Sequence, residues 1–208
     1  MILVGQYDSP YTRRVAISLM VLGIPHEHDR RSVFGDFDSM RQTNPLGRIP
    51  SLVLDDGTVL IDSAAILDWI DESVGPQRAL LPPSGLARRE AMQRIALANG
   101  AVDKIGGGYN YERLIRPARY RWPQWIERCT TQGAGALAAL NATEWDAGAP
   151  LDQALITTGC ALDYVRVTAP EIMPAGRYPI LDGLLERLRR RPEFAATSFA
   201  DYSVPRAD

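Results

Sequence analysis

Short apolar runs and helix-start signals alternate at the beginning of this chain. Residues 2–7, Ile-Leu-Val-Gly-Gln-Tyr, form an apolar run typical of a short buried strand. Ser9 and Pro10 predict a helix start, because Ser is a favoured N-cap and Pro a favoured first helical residue. Apolar residues then recur at helical spacing up to Gly23, and a second strand is predicted at 26–31. This order predicts a βαβ unit with parallel strands.

A hairpin and another helix follow a less regular stretch of chain. Residues 49–54 have the pattern of a strand, the Asp-Gly pair at 56–57 is a hairpin signal, and 58–61 is the return strand. Ser63 can cap a helix whose apolar residues continue on one face to Val74. The predicted order is βαβ, an irregular or helical connection, then ββα. One mixed four-stranded sheet, layered between helices, accommodates this order.

The pattern changes after Val74. Gly and Pro punctuate residues 75–85, and no convincing alternating strand follows. Helices are predicted instead at about 86–116, 122–145, 151–167 and 179–191, the last from leucines at helical spacing. We therefore predict a first α/β domain over 1–77, a linker over 78–85 and an all-helical domain over 86–208.

Composition argues against several classes of protein. The chain has 208 residues with 23 basic and 25 acidic side chains, whereas nucleic-acid-binding domains concentrate Lys and Arg. Neither a membrane-spanning apolar run nor a secretory leader is evident. Two cysteines, Cys129 and Cys160, fit a reducing compartment better than a disulfide framework. We expect a cytoplasmic protein that binds no nucleic acid, membrane or metal ion, since no His and Cys cluster has metal-ligand spacing.

Three places in the first domain could carry chemistry, and each has a simpler structural explanation. Ser9 stands at a helix N-terminus, where free N–H groups and the helix dipole stabilise an anion such as a thiolate. Taken alone, it is more simply a helix cap. A cis Ile49–Pro50 bond would leave the backbone of Ile49 free to pair with an extended peptide. An ordinary edge-strand proline is the simpler explanation.

The third place is the pair Asp62-Ser63 at a helix start. The Ser63 hydroxyl and the first helical N–H groups suit a carboxylate, and the Asp62 carboxylate suits an ammonium. Together they suit the end of an amino acid, which carries both charges. Taken alone, a plain capping pair is again the simpler explanation.

The order of these places carries a family resemblance. The chain reads Ser-Pro-Tyr-Thr-Arg-Arg-Val at 9–15, Asn-Pro-Leu-Gly-Arg-Ile-Pro-Ser-Leu at 44–52 and Leu-Ile-Asp-Ser-Ala-Ala-Ile at 60–66. It resembles the cytosolic glutathione transferases, in particular bacterial serine-type members with Ser-Pro and an aromatic residue at the helix start. Residues 178–181 and 190–194 are similar to the closing helices of that family.

The resemblance implies a fold, a ligand and a site. The fold is a thioredoxin-like domain followed by a helical domain, usually in a homodimer, and glutathione is the co-substrate. Ser9 matches the hydroxyl that activates the glutathione thiol. The residues matching the glutathione seat are Arg48, Ile49, Pro50 (the cis-proline), Asp62 and Ser63. Tyr11 and Tyr109 are the expected residues of the second-substrate pocket.

The activity implied is conjugation of the glutathione thiolate to small, largely apolar electrophiles. Two alternatives stay open: a non-catalytic interaction protein similar to the stringent starvation proteins, and a glutathione-dependent isomerase or peroxidase. The presence of Ser9, Asp62 and Ser63 speaks against the first alternative. A missing Ser-Ser-Cys motif weakens the case for maleylacetoacetate isomerisation.

The sequence departs from the family pattern at two places. Asp8 stands where tyrosine-type members carry a catalytic Tyr, which makes Ser9 the better candidate. In the helix that holds Cys160, Asp152 stands at the cap position, but Leu155 replaces the buried Asp of the usual motif. Asp is itself a good N-cap, so we expect a consequence for stability and not for activity.

Overall fold

The first half of the chain forms a mixed four-stranded sheet with helices. The computed structural model describes residues 1–146 and 148–199. The elements of this half are β1 (Ile2–Val4), α1 (Pro10–Val21), β2 (Glu27–Asp29), α2 (Phe37–Thr43), β3 (Ser51–Val53), β4 (Val59–Ile61) and α3 (Ser63–Val74). The strand order is β2-β1-β3-β4, with β1 parallel to β2 and antiparallel to β3, and β3 antiparallel to β4. The predicted βαβ and ββα units in one mixed sheet are confirmed.

The strands are shorter than predicted, and the reason is local. The apolar run of 2–7 leaves the sheet after Val4, because Gly5 has a φ of +130°. A Cβ at Gly5 would lie 2.7 Å from the Ile49 Cβ, so only glycine fits there without a shift. The register pairs Leu3 with Leu52, and both side chains are fully buried. The core of this half therefore sits at the centre of the sheet, under α1 and α3.

The second half is helical, as predicted. Its elements are α4 (Gly85–Val102), a π-helix (Asp103–Ile115), a 3₁₀ turn (Ala118–Tyr120), α5 (Pro123–Asn141), α6 (Gln153–Thr168), α7 (Pro179–Arg189) and α8 (Pro192–Ala196). Helix α6 is buried along nearly its whole length and packs against α1 and α4. The Asp152 carboxylate accepts a hydrogen bond from the Leu155 N–H at 2.7 Å, which confirms Asp152 as the cap of α6.

The predicted helix over 86–116 is present, but its bonding changes at Asp103. From there the chain follows the wider i→i+5 pattern, in a segment that contains Gly106, Gly107 and Gly108. A Cβ at Gly106 would lie 2.7 Å from the Tyr164 hydroxyl, and one at Gly108 would lie 2.3 Å from the Cys129 sulfur. Glycines therefore let the π-helix backbone approach α5 and α6 closely.

A buried arginine ties the two halves together. Arg13 on α1 is 1% exposed and forms an ion pair with Asp163 on α6. Its guanidinium also donates to the Thr197 hydroxyl at 3.1 Å and to the Phe194 carbonyl at 3.0 Å. Asp163 accepts a second hydrogen bond from Arg189 at 2.8 Å. Helix α1 is thus anchored to the last helices of the chain.

The predicted boundaries 1–77, 78–85 and 86–208 stay a prediction, and residues 200–208 lie outside the described ones. In the part of the chain that the structure describes, no helix has the length and apolarity needed to cross a membrane.

Candidate functional site

Ser9 lies at the N-terminus of α1, beside a large cavity. Its hydroxyl oxygen accepts a hydrogen bond from the Thr12 N–H at 3.3 Å, and its carbonyl accepts the first helical bond from the Arg13 N–H at 2.9 Å. Ser9 is therefore a helix cap. Its hydroxyl proton has no acceptor within residues 1–146 and 148–199, so it is available to a ligand.

Two adjoining cavities share Tyr11, Arg48, Ile49 and Asp103 in their walls, and Ser9 lines the larger one. The larger has a volume of about 710 Å³ and is mostly apolar; it lies between the segment around Ser9 and the helical half, where the end of α4 and the π-helix line it. The smaller has a volume of about 320 Å³ and a mostly polar lining. Tyr11 lines both of them. A long ligand with a polar end and an apolar end would fit this pair of cavities.

The smaller cavity brings together every predicted glutathione-binding residue, namely Arg48, Ile49, Pro50, Asp62 and Ser63. The Ile49–Pro50 peptide bond is cis. Neither the N–H nor the C=O of Ile49 has a hydrogen-bond partner among the described residues. Asn44 holds the preceding loop, because its side-chain amide donates to the Arg48 carbonyl at 2.8 Å. The backbone of Ile49 is therefore open to a ligand.

Asp62 has an unusual backbone conformation. Its φ is +69°, the only positive φ of a non-glycine residue among the described ones. Its carboxylate accepts a hydrogen bond from the Ala64 N–H at 2.8 Å, which caps α3. A conformation of this kind costs about 1–3 kcal/mol and is found most often at binding and catalytic sites. Asp62 is exposed, so its carboxylate can also meet a ligand.

Arg14 is a site residue that the sequence analysis missed. It is 3% exposed and lines the smaller cavity. Its Nε and Nη2 donate to the Ser63 hydroxyl oxygen at 3.1 and 2.7 Å, and its Nη1 donates to Thr157 at 3.4 Å. The Ser63 oxygen accepts both bonds, which leaves its proton free to donate. The signal that could have identified Arg14 was a second arginine within an otherwise apolar helical pattern.

The guanidinium of Arg14 has no carboxylate within ion-pair distance among the described residues. Burial lowers its pKa, because desolvation disfavours the charged form. Buried charges in proteins are normally paired. The smaller cavity therefore contains a positive charge without a directly paired carboxylate, although Asp62 and Asp103 line the same cavity and favour the charged form from beyond ion-pair distance.

The two tyrosines predicted for the second-substrate pocket lie in different places. Tyr11 lines both cavities, and its hydroxyl donates to the Asp103 carboxylate. Burial and this carboxylate both raise the pKa of Tyr11 above its usual value. The Tyr109 hydroxyl instead donates to Glu171, with Arg113 over its ring, and Tyr109 does not line the cavity.

Tyr111 lines the larger cavity where Tyr109 was expected. Gly106, Asn110, Tyr111 and Ile115 of the π-helix share the cavity wall, whereas the Tyr109 hydroxyl meets Glu171. The sequence prediction for Tyr109 rests only on its place late in the helix, which carries no information on the face that meets the cavity.

Asp8 is a buried acid on the wall of the larger cavity. The side-chain amide of Gln6 donates to its carboxylate. Burial raises the pKa of Asp8, and the hydrogen bonds from Gln6 and the backbone oppose that shift.

Comparisons with known proteins agree with this arrangement. The sequence model of a family described as "Glutathione S-transferase, N-terminal domain" matches residues 3–78. The chain is 30% identical over 199 residues to the uncharacterized GST-like protein YibF of Escherichia coli (strain K12), covering 94% of this chain and 96% of that protein. It is 28% identical over 198 residues to the maleylacetoacetate isomerase of Pseudomonas aeruginosa, covering 91% and 88%.

A solved structure is also similar. The crystal structure of a glutathione transferase family member from Pseudomonas fluorescens Pf-5, with bound glutathione, has a TM-score of 0.84 at 32% identity, covering 94% of this chain and 97% of that one. A thioredoxin-like sheet with a cis-proline, followed by a helical half, defines the class of fold. The chain belongs to the glutathione S-transferase family.

Proposed function

We propose that this protein is a glutathione transferase, which joins the thiol of glutathione to a small, largely apolar electrophile. The observation that carries the proposal is the meeting of a polar and an apolar cavity beside the N-terminus of α1. Glutathione would occupy the polar cavity, the electrophile the apolar one, and the sulfur the place near Ser9 where they meet. The glutathione bound in the Pseudomonas fluorescens relative supports this choice of co-substrate.

The proposed glutathione seat combines charged side chains with free backbone groups. The γ-glutamyl carboxylate would accept from the Ser63 hydroxyl and supply the direct ion-pair partner that Arg14 lacks. The ammonium beside it would lie near the Asp62 carboxylate. The cysteinyl residue would pair with the open backbone of Ile49, and Arg48 would meet the glycyl end.

The proposed chemistry is activation of the bound thiol by Ser9. A thiol has a pKa of about 8.5, so only about 3% is ionised at neutral pH. Lowering this pKa by ~2 units takes roughly 2.7 kcal/mol. One hydrogen bond to a charged group supplies about 1.5–3 kcal/mol, and a helix N-terminus about 0.5–1 kcal/mol. Together these two contributions are large enough to lower the thiol pKa by that amount.

The proposed reaction is a substitution in which atoms and charge are conserved. The thiol proton passes to solvent, and the thiolate attacks the electrophilic carbon. A carbon–sulfur bond forms as the bond to the leaving group breaks, and the leaving group departs with the electron pair. The reaction requires no other cofactor.

A second candidate is glutathione-dependent isomerisation, favoured by the 28% identity to the Pseudomonas aeruginosa maleylacetoacetate isomerase. The thiolate would add to a conjugated double bond, the former double bond would rotate, and the thiolate would leave again. Glutathione would not be consumed. The two candidates therefore differ in whether glutathione disappears in proportion to the product.

The test has two stages. Calorimetry measures the affinity for glutathione, and a screen of aryl halides, benzyl halides and conjugated enones then follows thiol consumption. Binding with stoichiometric thiol consumption supports the transferase. Binding with enone isomerisation and no thiol consumption favours the isomerase. Binding with no turnover of any kind favours a non-catalytic protein, and an absence of binding at millimolar glutathione overturns the proposal.

We place the protein in the cytoplasm as part of the same proposal, because glutathione is abundant there and thiols stay reduced. Both Cys129 and Cys160 are buried free thiols, which suits that compartment.

A further inference from the structure

The helical wall of the larger cavity has two features that bear on the second substrate. The π-helix contributes Gly106, Gly107, Asn110, Tyr111 and Ile115 to this wall. One feature is a side-chain amide whose oxygen accepts no hydrogen bond from the described residues, and the other is a stretch of glycine backbone without side chains. Both belong to the same short segment, which forms one wall of the cavity.

Asn110 supplies the unused acceptor. It is 2% exposed, and its Nδ2 donates to the Thr168 hydroxyl oxygen at 2.9 Å. Its Oδ1 is buried and has no hydrogen-bond partner among the described residues. Buried carbonyl oxygens nearly always accept a hydrogen bond, so this oxygen is suited to a donor on a bound molecule.

Gly107 exposes its backbone at the wall of the cavity. It lines the cavity and is exposed, and a Cβ built there would meet no atom within 4 Å. A larger side chain at this position would therefore occupy the space of the cavity. Neighbouring Gly106 lacks room for a side chain for a different reason, since a Cβ placed there would lie 2.7 Å from the Tyr164 hydroxyl oxygen. The exposed backbone leaves room for a flat ring, and Val33 and Phe34 add apolar surface to the cavity.

The charges that line the cavity favour a donor over an anion. Asp8 and Asp103 both line it, and carboxylates accept hydrogen bonds. The only basic side chain on its wall among the described residues is Arg48, which also lines the polar cavity assigned to glutathione. An anionic second substrate would meet two acids at close range. A neutral hydroxyl or N–H would meet acceptors.

We propose that the π-helix wall selects a neutral aromatic electrophile that carries a hydroxyl or N–H donor: Gly107 leaves room for the ring, and Asn110 Oδ1 accepts from the donor. This inference rests on the proposed function, because it takes the larger cavity as the second-substrate site. It adds the chemical class of that substrate.

Two thioethers of glutathione test the inference without requiring turnover. One carries a para-hydroxymethylbenzyl group and the other a para-ethylbenzyl group, which is nearly the same size but has no donor. We expect the hydroxymethyl thioether to bind the wild type at least as tightly as the more hydrophobic ethyl one. Asn110→Leu should shift the ratio of the two affinities by about fivefold to tenfold towards the ethyl thioether.

A glycine pair tests the space. Gly107→Leu should weaken both thioethers by about tenfold and leave glutathione itself within about twofold. Gly135→Leu is the matched control, because Gly135 lies on α5, also has open space around it, and does not line the cavity. It should change none of the affinities.

The outcomes separate the two proposals. An unchanged affinity ratio in Asn110→Leu, or unchanged thioether binding in Gly107→Leu, overturns the inference and leaves the glutathione seat intact. If Asn110→Leu does not fold, tighter binding of the ethyl thioether by the wild type overturns it. If neither the thioethers nor glutathione bind the wild type, the proposed function fails and this inference fails with it.

Discussion

Arg13 and Arg14 are neighbours on α1, yet we expect opposite effects when each is replaced by Met. Arg14 has no carboxylate within ion-pair distance among the described residues, so Arg14→Met removes a buried charge that lacks a direct partner in the free protein. Removing such a charge relieves an unfavourable burial but leaves the Ser63 and Thr157 hydroxyls without their donor, so we expect the free protein to keep nearly its wild-type stability. The affinity for glutathione should fall, because a charge-assisted contact to the γ-glutamyl carboxylate is lost.

The size of each effect follows from the contacts. A hydrogen bond to a charged group contributes about 1.5–3 kcal/mol, so glutathione should bind Arg14→Met roughly 10- to 150-fold more weakly. Arg13→Met breaks a buried ion pair, which typically costs about 3–5 kcal/mol. Asp163 keeps Arg189 as a partner at 2.8 Å, so we expect a loss near the lower limit, about 3 kcal/mol.

The assay combines urea unfolding of the free proteins with calorimetric titration of glutathione. Arg14→Met should unfold close to the wild-type urea concentration and bind weakly. Arg13→Met should unfold much earlier, and its folded fraction should bind glutathione normally. The reasoning is refuted if Arg14→Met binds glutathione as the wild type does, or if it loses as much stability as Arg13→Met.

Four further predictions concern the acids, the hydroxyls and the assembly. Ser9→Ala should raise the pKa of bound glutathione in an ultraviolet titration, and turnover should recover as pH approaches ~9; an unmoved pKa would leave Ser9 as a cap alone. Ser63→Ala should weaken glutathione binding by roughly 1–3 kcal/mol, and calorimetry showing wild-type affinity would reject the seat. The pKa of Asp8 is raised in the folded state, so the wild type should lose stability relative to Asp8→Asn as the pH rises from the ordinary aspartate pKa to the raised one. A difference in urea unfolding that does not change with pH would contradict this. Light scattering should give a homodimer, and a mass near 23.0 kDa at micromolar concentration would count against it.

Features set by near neighbours in sequence could be predicted. Ser9 and Asp152 cap their helices through bonds to N–H groups three residues ahead, which a sequence pattern contains directly. The sheet order follows from the βαβ unit and the Asp-Gly hairpin. Motif order also identified the residues around the polar cavity, since they resemble one family's segments.

Features set by distant contacts could not be predicted. Arg13 and Arg14 are alike in sequence, and only the packing of α6 and α3 around α1 decides that one meets Asp163 while the other meets Ser63. Tyr109 was expected at the cavity from its place late in a regular helix. Tyr111 lines the cavity instead, and the change to i→i+5 bonding at Asp103, which accompanies close backbone approach to α5 and α6, is not visible in the sequence pattern.

The Arg13 anchor has a consequence for how the molecule folds. If the first half were produced alone, Arg13 would lose Asp163, Thr197 and Phe194 together, and the face of α1 that α6 covers would meet water. A thioredoxin-like half with that exposed face lacks the contacts that make it independent. We therefore expect the two halves to unfold as a single cooperative unit, and local opening of the C-terminal helices to loosen the same helix that presents Ser9.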